Sequence, residues 1–600
     1  MIMNILKNKN TFSHSFKLFK YGIRYGQEFF VWKFLWVILK TVKTILVDIM
    51  LLKFFLDAIV SGKSFYETIA YIIICVIVCF LEMYIDDWIM IYVYPITKNK
   101  VHASIHKMIF EKICCVDLEK FDDSKFYNDY IWILEKSSDQ IMSCYENYMK
   151  LLSSILNIVS IFTLLFTTGP AVLIFAIIPM IFVAFFGKKI NKIDFECDKE
   201  LNSITRRKNY SRRIFYLKQF AQDIRSTRIK NVMKKNFSDS SNDEINIQKK
   251  YSIKKLILTL IKDGSYGFAQ MLGLYIYIAY KAIIEKTYSI GTCAAVVNAV
   301  DRLTGYFYQF SFVLLSIQKN SIYAKSFFEF FNNTNIIENA GVGIVTAESF
   351  KKFEFKNVSF KYADSKNFTL KDINLTINKG DKIAIVGLNG AGKTTLVKLA
   401  LRFYDPQKGT ILYNDNRVSE YNIHDFRSHF STIFQDFQLY ATTLAENIIM
   451  NTCENDIQLE KVHECLKKVN FNIEHDKLNC NITKEFDDDG LEFSGGQKQK
   501  IAIARAIYQN ADLIIMDEAS SALDPIAESE INELIVNSMS DKTLMIITHR
   551  LTTVKHVDKI IFIENGEILE SGSHSELMQL GGKYYELYKT QAKQYDTSIV

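Results

Sequence analysis

Apolar residues gather in long runs before about residue 320 and in short alternating stretches after about residue 350. The clearest run, Leu151 to Gly187, is 37 residues without a charge. A helix needs about 20 residues to cross hydrocarbon, so one straight span would overshoot. Thr167-Thr168-Gly169-Pro170 breaks the run near its middle and predicts two helices joined by a tight turn. A buried soluble hairpin is the competing reading, and the apolar neighbours on both sides weigh against it. Four further runs, near Val31–Val60, Thr68–Tyr94, Leu256–Tyr280 and Ser289–Ile317, bring the expected number of spans to six.

The connections alternate in character. Ser61–Tyr66, the Thr167–Pro170 turn and Glu285–Tyr288 are short, whereas Thr97 to about 140 and Lys188 to about 255 are long and charged. The second long connection carries Arg206-Arg207-Lys208 and Arg212-Arg213. Lys and Arg accumulate on the cytoplasmic side, which places both long loops and both termini inside. Charges also fall within the spans: Lys40, Lys43, Asp48, Lys53, Asp57, Glu82, Asp86, Asp87, Lys262, Asp263, Asp301 and Arg302. A charge facing lipid costs at least ~2.5 kcal/mol near the bilayer centre. These residues are therefore expected to line a polar path, to pair with one another, or to sit where helices extend beyond the membrane.

The second half changes period. Residues 353–360 and 370–377 alternate apolar and polar in strand fashion, and Lys382–Val386 is a short apolar strand. It runs into Gly387-Leu-Asn-Gly-Ala-Gly-Lys-Thr394, with a helix expected from Thr394 to Phe403. Strand, glycine-rich loop and helix is the setting of a phosphate-binding loop. Gly387, Gly390 and Gly392 let backbone N–H groups approach phosphate at the positive end of the helix. Lys393 is suited to neutralise the β- and γ-phosphates, and Thr394 to offer a hydroxyl to Mg²⁺. The whole block, with Asn389, Ala391 and Thr395, is the expected nucleotide-binding set. A buried strand, Leu513–Asp517, ends in two acids. Asp517 suits Mg²⁺ and Glu518 suits the attacking water, the division of labour that in-line phosphoryl transfer requires. Another apolar strand, Leu544–Ile547, leads to His549, which the order of elements points at the γ-phosphate.

Six hundred residues exceed one core, so residues 1–330 are expected to form a membrane domain, 331–350 a linker and 351–600 a nucleotide-binding domain. The net charge of +6 is modest, and basic residues cluster in loops between apolar runs, which gives no reason to invoke nucleic acid. Ten cysteines show no CxxC pair and no metal-type spacing, so reduced thiols are expected. The first 28 residues are polar and basic, without the apolar core of a cleavable signal.

Phe493-Ser-Gly-Gly-Gln497, about a hundred residues after the phosphate loop, makes a resemblance plain. The chain resembles an ATP-binding cassette (ABC) exporter half-transporter of the B-family (type IV) exporter fold: a six-span helical domain followed by an α/β P-loop ATPase. The Phe493–Gln497 stretch matches the family's signature motif, usually written with Leu first. The resemblance implies that Ser494 and Gly496, with Gly495 and Gln497 beside them, meet the γ-phosphate held by the opposite subunit. It implies that Gln435 links Mg²⁺ and water to the membrane domain, that Tyr362 stacks on adenine, and that His549 is a switch residue. Ser521-Ala-Leu-Asp524 matches the loop that crosses to the partner cassette. Asp117–Tyr127 and Ala221–Arg225 look like entries to the two intracellular coupling helices.

The resemblance also implies ATP and Mg²⁺ as cofactors and two cassettes closing around ATP. One cassette per chain calls for a second half-transporter, and the intact motifs favour a homodimer. The cassette details look similar to bacterial peptide, lantibiotic and multidrug exporters, which implies a multi-pass protein of the bacterial cytoplasmic membrane, in contact with lipid. The cargo implied is peptide-like or amphipathic, driven by alternating access. A leader-cleaving peptidase variant is not expected, with fewer than 30 residues before the first span. Lipid flipping, siderophore-type uptake on the same fold, and a non-transporting ATP-gated channel are the alternatives.

Overall fold

The computed structural model describes residues 9–62, 64–332, 337, 348–363, 365–484, 487–517, 542–548, 554 and 557–596. Contacts divide the chain into two bodies: Met1–Lys112 with Asn128–Asn333, and Ile113–Tyr127 with Thr334–Val600.

The first body is helical. Its helices are α1 (Lys9–Tyr25), α2 (Gln27–Lys43), α3 (Met50–Ser61), α4 (Phe65–Asp87) and α5 (Tyr94–Cys114). After a short α6 (Glu119–Asp122), which belongs to the second body, come α7 (Ser124–Thr168), α8 (Leu173–Tyr216), α9 (Ala221–Ser226), α10 (Ile229–Gly267), α11 (Tyr275–Ala279) and α12 (Ile290–Asn332). Gly169-Pro170 ends α7 where the sequence predicts a turn, because proline removes a donor and cannot continue the helix. Among the described residues, four π-helical stretches, Thr44–Ile49, Trp88–Val93, Phe268–Leu274 and Tyr280–Ile284, interrupt the apolar helices.

Three helical stretches among the described residues are long and apolar enough to cross a membrane: Phe65–Cys114, Ser124–Thr168 and Pro170–Asp198. Along the first, Ile73, Ile74, Ile77, Phe80 and Leu81 are exposed, as lipid-facing side chains are. The other expected spans carry charges, and several of these find partners. Lys33 lies 3.5 Å from Asp86, and Asp48 lies 4.0 Å from Lys43 and 3.5 Å from Arg302.

The short connections meet at one end of the bundle. Tyr288 donates its hydroxyl to the Thr168 carbonyl (3.3 Å), and a methyl on Gly291 would lie 2.7 Å from Asp57 Cγ. Beneath them Ile161, Leu165, Leu173, Ala295, Ala299 and Leu303 form a buried core in which small residues let helices approach. At the charged end α8 and α10 pair antiparallel. The bridges Asp194–Lys255, Glu200–Lys250 and Glu244–Lys208 climb one helix as they descend the other.

Among the described residues, the second body holds two sheets. An antiparallel one runs β2-β1-β4-β5, with β1 at Lys352–Phe360, β2 at Leu370–Asn378, β4 at Lys408–Tyr413 and β5 at Asn416–Arg417. The larger runs β10-β9-β3-β8-β7-β6, with β3 at Lys382–Val386, β6 at Phe430–Ile433, β7 at Leu513–Asp517, β8 at Thr543–Ile547, β9 at Lys559–Glu564 and β10 at Glu567–Gly572. Among these strands β10 alone runs antiparallel. Strands buried on both faces read as continuous apolar runs, which is why Leu513–Asp517 and Thr543–Ile547 are buried at every position. Between the sheets lies α13 (Lys393–Ala400), its Leu396, Val397 and Leu399 in the core. The helix predicted to reach Phe403 stops at Ala400, because Arg402 turns left-handed (φ 51°) and ties its guanidinium to Asp405 at 3.0 Å.

Of the remaining helices, α14 (Ile423–Ser428) precedes β6, and α15 (Leu444–Ile449), α16 (Asp456–Lys468) and α17 (Gly495–Gln509) build a second apolar cluster with Ile433 and Met516. The chain closes with α18 (His574–Leu580) and α19 (Lys583–Asp596).

Candidate nucleotide site

The parallel strands β3, β8, β7 and β6 all end at one edge of the sheet, where open α/β sheets place their ligands. At the end of β3, Gly387 is buried, and a methyl there would run into the Ile563 carbonyl oxygen of β9. Gly392, the residue before α13, holds φ at +100°, and a Cβ on it would stand 2.7 Å from Leu370 Cδ2. Between them Leu388, Asn389 and Gly390 face solvent, while Ala391 packs into the core. The first turn of α13 has no side-chain cap, whereas α15 and α17 both carry capping boxes. Its N–H groups and the helix dipole therefore face outward as an anion site. Lys393 folds its ammonium back over the loop, donating to the carbonyls of Gly387 (2.8 Å) and Leu388 (3.1 Å). Thr394 is exposed; Thr395 is buried, and its hydroxyl meets that of Tyr362 at 3.2 Å. This bowl fits a triphosphate: cradle, cation and exposed hydroxyl converge.

Asp517 ends β7 and is 2% exposed. β8 lies between β3 and β7, so two strand spacings set Asp517 about 10 Å across the sheet from the end of β3. Gln435 follows β6 by two residues and is exposed. Ser494 is the cap of α17: its hydroxyl accepts from the Gln497 N–H (3.3 Å), and Gln497 Oε1 accepts from the Ser494 N–H (2.9 Å). Each side chain accepts from the other's backbone N–H at the surface, with Gly495 and Gly496 in the first turn. Phe493, the departure from leucine, packs edge-on against Phe471 at 5.7 Å. Glu518, Ser521, Asp524 and His549 lie outside the described residues.

Residues that sequence reasoning passed over support these. Arg505 of α17 donates to the carbonyls of Asn447 (2.9 Å) and Gln438 (3.2 Å), tying the Gln435 loop to the helix that presents Ser494. Asp512, just before β7, accepts from the Phe350 N–H (3.1 Å) and meets His429 at 3.0 Å. Burial alone would raise this carboxyl, but the Phe350 N–H and His429 hold it below the usual carboxylate range. No local pattern points to either residue.

The family model for the ABC transporter matches residues 370–521, from β2 past β7. The fold extends further: the structure of a bacterial Atm1-family ABC exporter with ATP bound superposes with a TM-score of 0.77 at 19% identity, over 94% of this chain and 98% of that one. The chain has the ABC half-transporter fold. Its ATPase half binds and hydrolyses ATP, with Mg²⁺, in a machine coupled to transport. The half-transporter is also 29% identical over 480 residues to the subtilin transport ATP-binding protein SpaT of Bacillus subtilis, covering 78% of this chain and 77% of that protein. It is 38% identical over 260 residues to an ATP-dependent lipid A-core flippase of Burkholderia thailandensis, covering 43% of each.

Proposed function

We propose that two copies of this half-transporter form an exporter of a peptide-like or amphipathic small molecule at the bacterial cytoplasmic membrane, working by alternating access. Each copy contributes six spans within residues 1–330, a linker at 331–350 and a cassette at 351–600, with both termini inside. The meeting of the three short connections at one end of the bundle supports that topology, since the long basic connections then fall at the other. In the cassette, Tyr362 takes the adenine and Gly387–Thr395 the phosphates. Thr394, Gln435 and Asp517 hold Mg²⁺, and Glu518 and His549 serve water and γ-phosphate. Ser494–Gln497 and Asp524 act across the dimer on the partner's ATP. The exposure of Ser494, Gly495 and Gln497 at the start of α17 supports this reading, because it leaves that turn accessible to a group from outside the chain.

The observation that carries the cargo class is the presence of both a charged cavity and an apolar groove in the helical body. The cavity, of ≈ 580 Å³, is lined by Lys40, Asp263, Arg302, Tyr306, Tyr308 and Gln309. The groove, of ≈ 640 Å³, is lined by Phe175, Ile178, Phe182, Leu260 and Phe268. An apolar groove and a charged cavity within one helical body support a cargo with an apolar part and a charged part. The likeness to a protein named for subtilin transport supports the same class. Inside-out vesicles containing the dimer should accumulate a fluorescent amphipathic dye or labelled basic peptide when given MgATP. Glu518→Gln should abolish uptake while retaining ATP binding. Depletion of probe would indicate import, movement of labelled lipid alone a flippase, and flux retained by Glu518→Gln a channel.

A further inference from the structure

The loop leaving α13, Arg402 to Asp405, is packed against the nucleotide site on one side and bonded to the segment Ile113–Tyr127 on the other. Tyr404 is 3% exposed. Its ring stands edge-on to Tyr362 at 5.4 Å and 85°, and meets Phe360 at 5.4 Å. Lys398 of α13 lies over both tyrosine rings, 5.4 Å from that of Tyr362 and 5.8 Å from that of Tyr404. At its far end the Tyr404 hydroxyl donates to Asp122 Oδ2 at 2.7 Å, across 282 residues of chain. The same loop reaches the other end of the site. Phe403 lies 6.3 Å from Phe434, the neighbour of Gln435. Arg427 pins the loop, sitting 4.8 Å over Phe403 and donating to the carbonyls of Leu401 (3.0 Å) and Arg402 (2.9 Å).

We propose that Tyr404 is the positioning residue that passes occupancy of the nucleotide site to Asp122 on the segment Ile113–Tyr127. The proposal rests on the reading in which the base of ATP stacks on Tyr362. A ring buried among Phe360, Tyr362 and Lys398 turns only when its neighbours turn. A base laid on Tyr362 fixes that ring, and the edge contact then fixes Tyr404. The hydroxyl's acceptor is a carboxylate, which makes the bond short, strong and directional. Burial and the adjoining Asp122 charge push the Tyr404 phenol well above its usual range, so the hydroxyl keeps its proton to donate. Nucleotide thus selects the arrangement in which Asp122 is held, a bias that the empty site lacks. The Asp117 carboxylate, which accepts from the Ile337 N–H at 3.2 Å, anchors the same segment five residues earlier.

The test is hydrogen–deuterium exchange on the full-length protein in lipid nanodiscs, with and without a non-hydrolysable ATP analogue. In the native protein, nucleotide should slow exchange in peptides covering 387–395 and in those covering 113–127, the latter by about tenfold, the scale of a hydrogen bond to a charged group. Tyr404→Phe keeps the buried ring, and Asp122→Ala alters an exposed residue. Both should retain protection at 387–395 and lose it at 113–127. If either variant keeps the native response at 113–127, or the native protein shows none there, the proposal is overturned. Absence of protection at 387–395 in the native protein would instead overturn the nucleotide reading, and the proposal with it.

Discussion

Gly390 and Gly392 both hold positive φ, at +82° and +100°, yet their surroundings differ. Alanine at either position costs roughly 1–2 kcal/mol for the left-handed backbone. At Gly390 the added methyl meets nothing within 4 Å. At Gly392 it stands 2.7 Å from Leu370 Cδ2 and 3.0 Å from the Thr369 carbonyl oxygen, an overpacking that adds about 1–3 kcal/mol. With about 2–4 °C of melting temperature per kcal/mol in a domain of this size, the extra ~2 kcal/mol should place Gly392→Ala roughly 4–8 °C below Gly390→Ala. The assay is thermal unfolding of the cassette signal in the full chain, with and without MgATP. Saturating nucleotide should raise the native melting point through about 2.7 kcal/mol at a hundred times Kd. Gly390→Ala should lose most of that gain despite its milder destabilisation, since its methyl points into the open mouth of the loop. Equal melting of the two variants would refute the packing argument, and a full MgATP response in Gly390→Ala would refute the cradle.

Two further outcomes concern the charges. Asp512→Asn should destabilise the cassette by about 1 kcal/mol at pH 7 through the weakened Phe350 and His429 contacts. The depressed carboxyl stabilises the fold above its unfolded value of about 3.9 and ceases to as pH falls through its folded value. The gap between native and variant in urea unfolding should therefore close below about pH 4 and stay constant above about pH 5. In the helical body Asp48, 15% exposed, stands between Lys43 and Arg302. Asp48→Asn should cost about 1–2 kcal/mol in detergent unfolding, discounted because Arg302 is half exposed. Adding Arg302→Gln should recover part of it, with a coupling of about 0.5–1 kcal/mol in the double-mutant cycle.

The sequence carried most of the cassette because its signals are local. The phosphate loop needs three glycines beside one strand, and β7 and β8 read as unbroken apolar runs. The break at Gly169-Pro170 was legible for the same reason. The π-helical stretches were not, since one extra residue in a turn barely alters an apolar pattern. The early end of α13 escaped too, because Arg402 is held left-handed by Asp405 and the Val418 carbonyl rather than by its own preference. Least visible was Tyr404: an aromatic after a helix reads as core, and nothing nearby in sequence says that its hydroxyl reaches Asp122.

The most direct measurement asks whether the ATP site is shared between chains. Asn389→Cys and Ser494→Cys would be introduced together into a chain whose ten cysteines are replaced by serine and whose Glu518 is glutamine, then exposed to a short oxidant with and without MgATP. The expected result is a nucleotide-dependent band at twice the chain mass, absent from either single cysteine variant. A disulfide formed within one chain, or no cross-link with ATP bound, would contradict the claim that a second copy closes the site.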